Sequence, residues 1–98
     1  MDSRDAPLEP LGFDDAAAAA FDTAQLLSDI VTIPPGARAA LIQAETQNVR
    51  WTDDGSAPTA SRGMRLFKDS SVSYAGKLRA IKVISETAGA KLNVSFYR

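Results

Sequence analysis

The stretch Lys91-Leu92-Asn93-Val94-Ser95-Phe96-Tyr97 decides the fold, because apolar and polar side chains alternate along its whole length. Successive side chains of a β-strand point to opposite faces of the sheet, so this alternation predicts a strand with one buried face. Leu92, Val94 and Phe96 are expected to face a core. The residues that alternate with them, Asn93, Ser95 and Tyr97, are expected to face outward.

Strand patterns continue upstream of this stretch, interrupted by turn signals such as Pro34-Pro35-Gly36. Short strands about 8–12 residues apart, joined by Gly, Pro and Asp turns, are typical of sandwiches and barrels. The sequence therefore predicts an all-β domain over residues 29–98, a small antiparallel β-sandwich or barrel that is immunoglobulin-like or jelly-roll-like. The predicted strands before the last are Ile30–Ile33, Ala39–Ala44, Asn48–Thr52, Met64–Phe67, Val72–Tyr74 and Leu78–Ser85.

Residues 1–28 differ in composition and form a predicted N-terminal arm. Apolar side chains recur there at three- and four-residue intervals, a period that favours a short amphipathic helix over residues 14–27. A short isolated helix is marginal in water, so the alternative is an extended arm that becomes ordered on a partner. In both cases the arm needs a surface to lie on.

Charge is divided unevenly along the chain. Residues 1–29 carry seven acidic residues and one arginine, whereas residues 30–98 carry ten basic and five acidic residues. The acidic segment either serves solubility or docks on a basic body, its own or a neighbour's. Candidate interaction residues are the arm anchors Phe13, Phe21 and Leu27, the arginines Arg38, Arg50, Arg62 and Arg65, and the outward aromatics Phe67 and Tyr97.

Several classes of function are disfavoured by composition. The chain has no cysteine and no histidine, which removes the usual general base, the usual activated thiol and the commonest zinc ligands. No short nucleophile signature occurs, and Asp53-Asp54-Gly55 is better explained as a turn than as a calcium loop. We therefore expect no catalysis, no cofactor and no metal.

Composition also argues against two classes of binding partner, nucleic acids and membranes. A sequence pI near 5.2 does not favour direct nucleic-acid binding. The alanine run at residues 16–20 is too short to span a bilayer, and the acidic start is unlike a secretion signal, so synthesis in the cytoplasm is expected.

A set of motifs within residues 33–98 resembles the small virion-associated structural proteins encoded beside capsid and tail genes in tailed bacteriophages and prophages. The motifs are Ile33-Pro34-Pro35-Gly36-Ala37, Ala40-Leu41-Ile42-Gln43-Ala44-Glu45, Val49-Arg50-Trp51-Thr52-Asp53-Asp54-Gly55, Ala57-Pro58-Thr59-Ala60, Gly63-Met64-Arg65-Leu66 and Gly89-Ala90-Lys91-Leu92-Asn93-Val94-Ser95-Phe96-Tyr97.

The resemblance implies a non-catalytic virion component made in the host cytoplasm. A capsid decoration, cement or head accessory protein is the first expectation. The resemblance also implies that the chain binds capsid or other virion proteins and forms a homo-oligomer within the particle. A neck or tail accessory protein is the alternative on the same resemblance.

A shorter stretch, residues 49–59, is similar to a strand and turn of the immunoglobulin-like accessory domain of some chitobiases and other glycosidases. This similarity supports the sandwich prediction. It also keeps open a third function, a small carbohydrate-binding module that contacts surface glycans through an exposed aromatic side chain.

Overall fold

A computed structural model of the chain describes residues 9–17 and 20–98. Within these ranges eight strands are joined by loops, one helical turn and one 3-10 turn. The strands are β1 (Pro10–Ala17), β2 (Gln25–Leu26), β3 (Ala39–Glu45), β4 (Val49–Thr52), β5 (Met64–Leu66), β6 (Ser71–Ala75), β7 (Lys82–Ser85) and β8 (Lys91–Tyr97). The helical turn is α1 (Leu27–Ile30), and the 3-10 turn spans Leu78–Ala80.

The strands form two antiparallel sheets of four strands each. Sheet A has the order β1-β8-β3-β6 and sheet B the order β2-β7-β4-β5. β8 lies in the interior of sheet A, and it pairs with β1 on one side and β3 on the other. The predicted all-β class is therefore confirmed, and the central position of β8 matches its uninterrupted alternation.

One hydrophobic core lies between the two sheets. Leu92, Val94 and Phe96 of β8 are completely buried and belong to the same cluster as Val49 and Val83 of sheet B. Burial of each such side chain contributes about 1.5–3 kcal/mol relative to exposure, so this interior is the main source of stability. The alternate residues of β8 are left on the outer face of sheet A.

Two predicted strands are corrected by the structure. Ile30–Ile33 is not a strand: α1 ends in this stretch, and Val31 and Ile33 enter the core from an unpaired segment. The strand predicted over Leu78–Ser85 begins at Lys82, because Leu78–Ala80 forms a 3-10 turn. In both segments apolar side chains enter the core from irregular backbone. Their sequence pattern, β-branched or mixed, is the same as that of a buried strand, so the sequence alone does not distinguish the two.

The predicted helix over residues 14–27 is also wrong. Its first residues, Asp14 to Ala17, belong to β1 and pair with β8 in register, Asp14 opposite Val94 and Ala16 opposite Leu92. Ala18 and Ala19 lie outside the described residues. The free side of β8 offers the arm interstrand hydrogen bonds and a core to pack against, whereas a short isolated helix is only marginally stable in water.

The arm is joined to the body rather than forming a separate unit at residue 28. Ala16, Phe21 and Leu27 belong to the same core cluster as the body's strands. Backbone hydrogen bonds run from Ser85 N to Phe21 O at 2.9 Å and from Leu27 N to Ile81 O at 2.8 Å. The described part of the arm therefore completes both sheets of one domain.

Candidate interaction surfaces

The outer face of sheet A carries an apolar strip. Residues opposite each other on paired strands share a face, so Phe13, Ser95, Leu41 and Ser73 form one row across all four strands. Phe13 is 65% exposed and Leu41 39% exposed, on either side of Ser95. Tyr97 lies on the same face, two residues beyond Ser95 toward the end of β8. Phe13, Leu41 and Tyr97 together are called the outer strip.

A shallow depression adjoins the outer strip. It has a volume of about 310 Å³, and its lining is mainly apolar. Leu41 and Tyr97 form one part of its wall, and Ser73 and Ala75 of the edge strand form another. This face therefore combines the exposed phenyl ring of Phe13 with a depression, a shape to which a complementary partner surface can bind.

The other end of this face is polar. The amide nitrogen of Asn93 donates to the side-chain oxygens of Gln43, at 3.1 Å, and of Glu45. Lys91 and Asp15 form an ion pair at 3.5 Å beside them. A polar rim next to an apolar centre is the usual arrangement in protein–protein interfaces.

A second cluster lies on the outer face of sheet B and centres on Glu86. Arg65 donates to both carboxylate oxygens, at 2.7 and 2.9 Å, and Arg50 donates to one of them at 2.9 Å. The guanidinium of Arg65 also lies 5.4 Å from the ring centre of Phe67, within range of a cation–π interaction. The exposed Arg65 and Phe67 side chains are therefore fixed relative to each other.

These hydrogen bonds shift the titration of Glu86. Hydrogen bonds from Arg65, supported by Arg50 and Asn48, lower the pKa of its carboxyl from 4.5 to about 2, while desolvation opposes the shift. A carboxyl whose pKa is depressed by folding stabilises the protein above its unfolded pKa and loses that contribution as the pH falls. The Glu86 contribution is thus complete above about pH 4.5 and is lost toward about pH 2.

Replacing Glu86 with glutamine is expected to remove this pH dependence. The wild type is more stable than Glu86→Gln near neutral pH, and the difference shrinks as the pH falls, because protonation makes the wild-type group neutral as well. Urea unfolding midpoints at a series of pH values measure the difference. A constant difference at every pH would show that the ion pairs contribute no pH-dependent stability.

The structure separates the predicted interaction residues into groups. Phe13 and Tyr97 lie on the outer face of sheet A, and Phe13 is prominently exposed. Phe21 and Leu27 are completely buried in their own chain, so their predicted role as anchors to a neighbouring subunit is wrong. Their large apolar side chains fill the core instead, and they hold the arm to its own body.

The predicted arginines are likewise divided. Arg50 and Arg65 bind Glu86 rather than the arm's acids. Arg38 lies immediately before β3, and Arg62 lies two residues before the start of β5. Neither arginine forms an ion pair within residues 9–17 and 20–98. Two acids of the arm form ion pairs with other residues: Glu9 with Arg98 at 3.1 Å and Asp15 with Lys91.

The acidic turn between β4 and β5 is explained by its own hydrogen bonds. The Asp54 carboxylate accepts from the backbone and hydroxyl of Ser56, which lowers the pKa of that carboxyl. Asp53 accepts from the Tyr74 hydroxyl at 3.0 Å, which ties the turn to sheet A. Burial, and then this hydrogen bond, raise the pKa of the Tyr74 phenol. Across the described ranges no group of three or more acids is placed to hold a metal ion.

Comparison with known proteins returns no match: no protein-family model, no curated protein and no solved structure matches this chain. In the part of the chain that the structure describes, no helix has the length and apolar character needed to cross a membrane. The function is therefore inferred from the exposed surfaces and from the resemblance described above.

Proposed function

We propose that this chain is a non-catalytic structural protein of a bacteriophage virion, a capsid decoration or head accessory protein. It binds neighbouring shell subunits through the outer face of sheet A. The outer strip is the observation that carries this proposal, and the motifs of residues 33–98 supply the virion context.

The outer strip has the character of a contact surface. Scattered exposed apolar residues are normal on soluble proteins, but apolar residues aligned beside a depression and rimmed by polar groups mark interaction sites. Phe13 and Leu41 lie in one row, next to a concavity of about 310 Å³. Leu41 and Tyr97 lie on the central strands β3 and β8, and Phe13 on β1 beside them, so the outer strip is presented by paired strands and binding costs little ordering of the backbone.

A shell component needs many identical contacts rather than one tight pocket. Modest interfaces that repeat over a lattice add up to high avidity without strong individual affinity. A compact body with a rigid outer face and fixed polar rim suits this kind of attachment. Under this proposal the ion pair between Asp15 and Lys91 orients the face, and the outer strip supplies most of the binding energy.

The surface can be tested with particles that lack the protein. Purified chain is added to gradient-purified particles from a phage deleted for its gene, and the bound fraction is measured by co-sedimentation. Changing Phe13 and Leu41 together to threonine is expected to weaken binding about tenfold or more, because truncating the hot-spot residues of an interface costs about 2 kcal/mol or more. Threonine keeps the β-propensity of both positions.

The matched control is Ile84→Thr, which replaces an apolar residue on the outer face of sheet B. It should bind particles as the wild type does. Equal binding by all three proteins would exclude the outer strip as the contact surface. Equal loss in the control would show that the effect arises from stability rather than from the face.

Two other functions follow from the same surface and predict different results. A neck or tail accessory protein would bind particles at few positions. A carbohydrate-binding module would bind host surface glycans through Tyr97 beside the depression, and Tyr97→Ala would abolish that binding. Calorimetric titration with these glycans distinguishes the last function, because a shell protein gives no heat of binding.

A further inference from the structure

The two edges of sheet A differ in how well they are protected. An edge strand presents unpaired backbone N–H and C=O groups, and natural proteins block such edges with proline, bulges or inward-pointing charges. Within the described residues β1 and β6 are the edge strands of this sheet. The presence or absence of blocking devices therefore indicates which edge is free to pair.

The β1 edge carries several blocking devices. Pro10 begins the strand, and the register with β8 shifts between Pro10 and Gly12. Asp14 shares the inward face with Val94, and its carboxylate accepts from Asp15 N at 2.8 Å and from Thr32 N at 2.7 Å. Asp14 thus occupies a backbone donor of the strand and ties the neighbouring segment against it.

The register of β6 shows which of its backbone groups face away from β3. Gly76 N donates to Arg38 O at 3.0 Å and Ala44 N donates to Ser70 O at 3.1 Å, at the two ends of the ladder. Because hydrogen-bonded pairs alternate in an antiparallel ladder, Val72 and Tyr74 bond to β3 between these ends. The N–H and C=O groups of Ser71, Ser73 and Ala75 therefore point to the free edge.

The β6 edge carries none of the blocking devices of β1. Its sequence, Ser71-Val72-Ser73-Tyr74-Ala75, has no proline and no charge, and its register with β3 is continuous. The residues with outward-facing backbone groups are all small and exposed. An uncharged, regular edge with small side chains is the kind that adds another strand.

We propose that β6 pairs with β6 of a second copy, antiparallel about a two-fold axis at Ser73. Symmetry then places Ser71 opposite Ala75 of the second copy and joins the two A sheets into one of eight strands. The same register sets Asp69 opposite Lys77 of the second copy, on both sides of the axis. Two-fold dimers are the commonest oligomers, and this neutral strand flanked by opposite charges is self-complementary.

The dimer would present both outer strips in the same direction. The axis runs perpendicular to the sheet, since paired residues share a face. Two copies of Phe13 and Leu41 would therefore contact a partner together, which raises avidity. The dimer is nevertheless independent of the proposed function, because strand pairing at β6 does not require a virion partner.

Cysteine crosslinking tests the dimer and its register. The natural chain has no cysteine, so Ser73→Cys introduces one thiol. Opposed residues of a hydrogen-bonded antiparallel pair have Cα atoms about 5.5 Å apart, within the range of a disulfide. Mild oxidation is expected to convert most of Ser73→Cys to a covalent dimer on a non-reducing gel.

Ser71→Cys is the matched control, on the same strand and the same face. Its two copies would lie four residues apart along the strands, about 13 Å, so it should stay monomeric on the gel. Equal crosslinking at both positions, or at Ser71 alone, would overturn the proposed pairing.

A charge at the axis gives a second, non-covalent test. Ser73→Glu places two carboxylates opposite each other and should reduce the dimer seen by sedimentation to monomer, while Ser95→Glu, on the same face of β8, should leave it intact. A wild-type chain that is monomeric at its highest soluble concentration would also refute the proposal. Neither result bears on particle binding by the outer strip, so the two proposals fail separately.

Discussion

Phe21→Ala is expected to lower the free energy of unfolding by about 3–5 kcal/mol, the usual cost of emptying a buried phenylalanine site. Phe21 is completely buried although it lies in the segment that was predicted to be an arm separate from the body. The reduction follows from lost transfer energy and from the cavity left between the sheets. Urea unfolding followed by tryptophan fluorescence measures it, since Trp51 packs against the core.

Phe13→Ala provides the control within the same segment. Its side chain is 65% exposed, and surface substitutions usually change stability by no more than about 0.5 kcal/mol. The two variants should therefore differ by several kcal/mol. Similar, small changes in both would mean that the arm is not packed into the core, and the description of one domain would fail.

Removing residues 1–28 is expected to abolish folding. The truncation deletes β1, β2 and the buried side chains of Ala16, Phe21 and Leu27. It also uncovers one side of β8, whose backbone groups and apolar residues would then face water. A domain of about 100 residues has only about 5–15 kcal/mol of stability, less than these losses together.

Far-UV circular dichroism and amide chemical-shift dispersion measure the outcome. We expect a chain without cooperative thermal unfolding. Adding a peptide of residues 9–28 should restore part of the strand signal, because it supplies the missing strand and core residues. A truncated protein that unfolds cooperatively by itself would contradict the packing of β1 into sheet A.

Local patterns predicted the regular strands well, for a physical reason. β3, β4 and β8 are bordered by other strands, and each has a buried face, so alternation or an apolar run appears directly in the sequence. β1 is different, because aspartate and alanine have low strand propensity and its pairing depends on the distant β8. Such an edge strand is specified by tertiary contacts that no local pattern contains.

The candidate surfaces were predicted in part. The outward direction of Tyr97 and Phe67 follows from strand parity, and Phe13 was expected to make contacts. Leu41 was missed because it lies within a largely apolar run, in which neighbouring residues do not differ in polarity. The exposure of Leu41 beside the buried Ile42 becomes visible only once the faces of the strand are known. Glu86 was missed because its partners come from other strands, and register cannot be deduced from one sequence.

The division of charge left open whether the acidic segment serves solubility or docks on a basic body, and it did not indicate individual partners. Two of the described acids of the arm form ion pairs within the chain, Glu9 with Arg98 and Asp15 with Lys91. These pairs join strand ends that are far apart in sequence. Composition shows an uneven division of charge, whereas the individual ion pairs depend on the sheet order, which composition does not contain.

The most direct measurement of the proposed function is the copy number of this polypeptide in gradient-purified particles. Quantitative mass spectrometry against the major capsid protein gives the ratio. A decoration or cement protein predicts a ratio near that of the capsid protein, and a ratio of a few per cent would instead indicate a vertex, the neck or the tail. Complete absence from the particles would contradict the virion proposal.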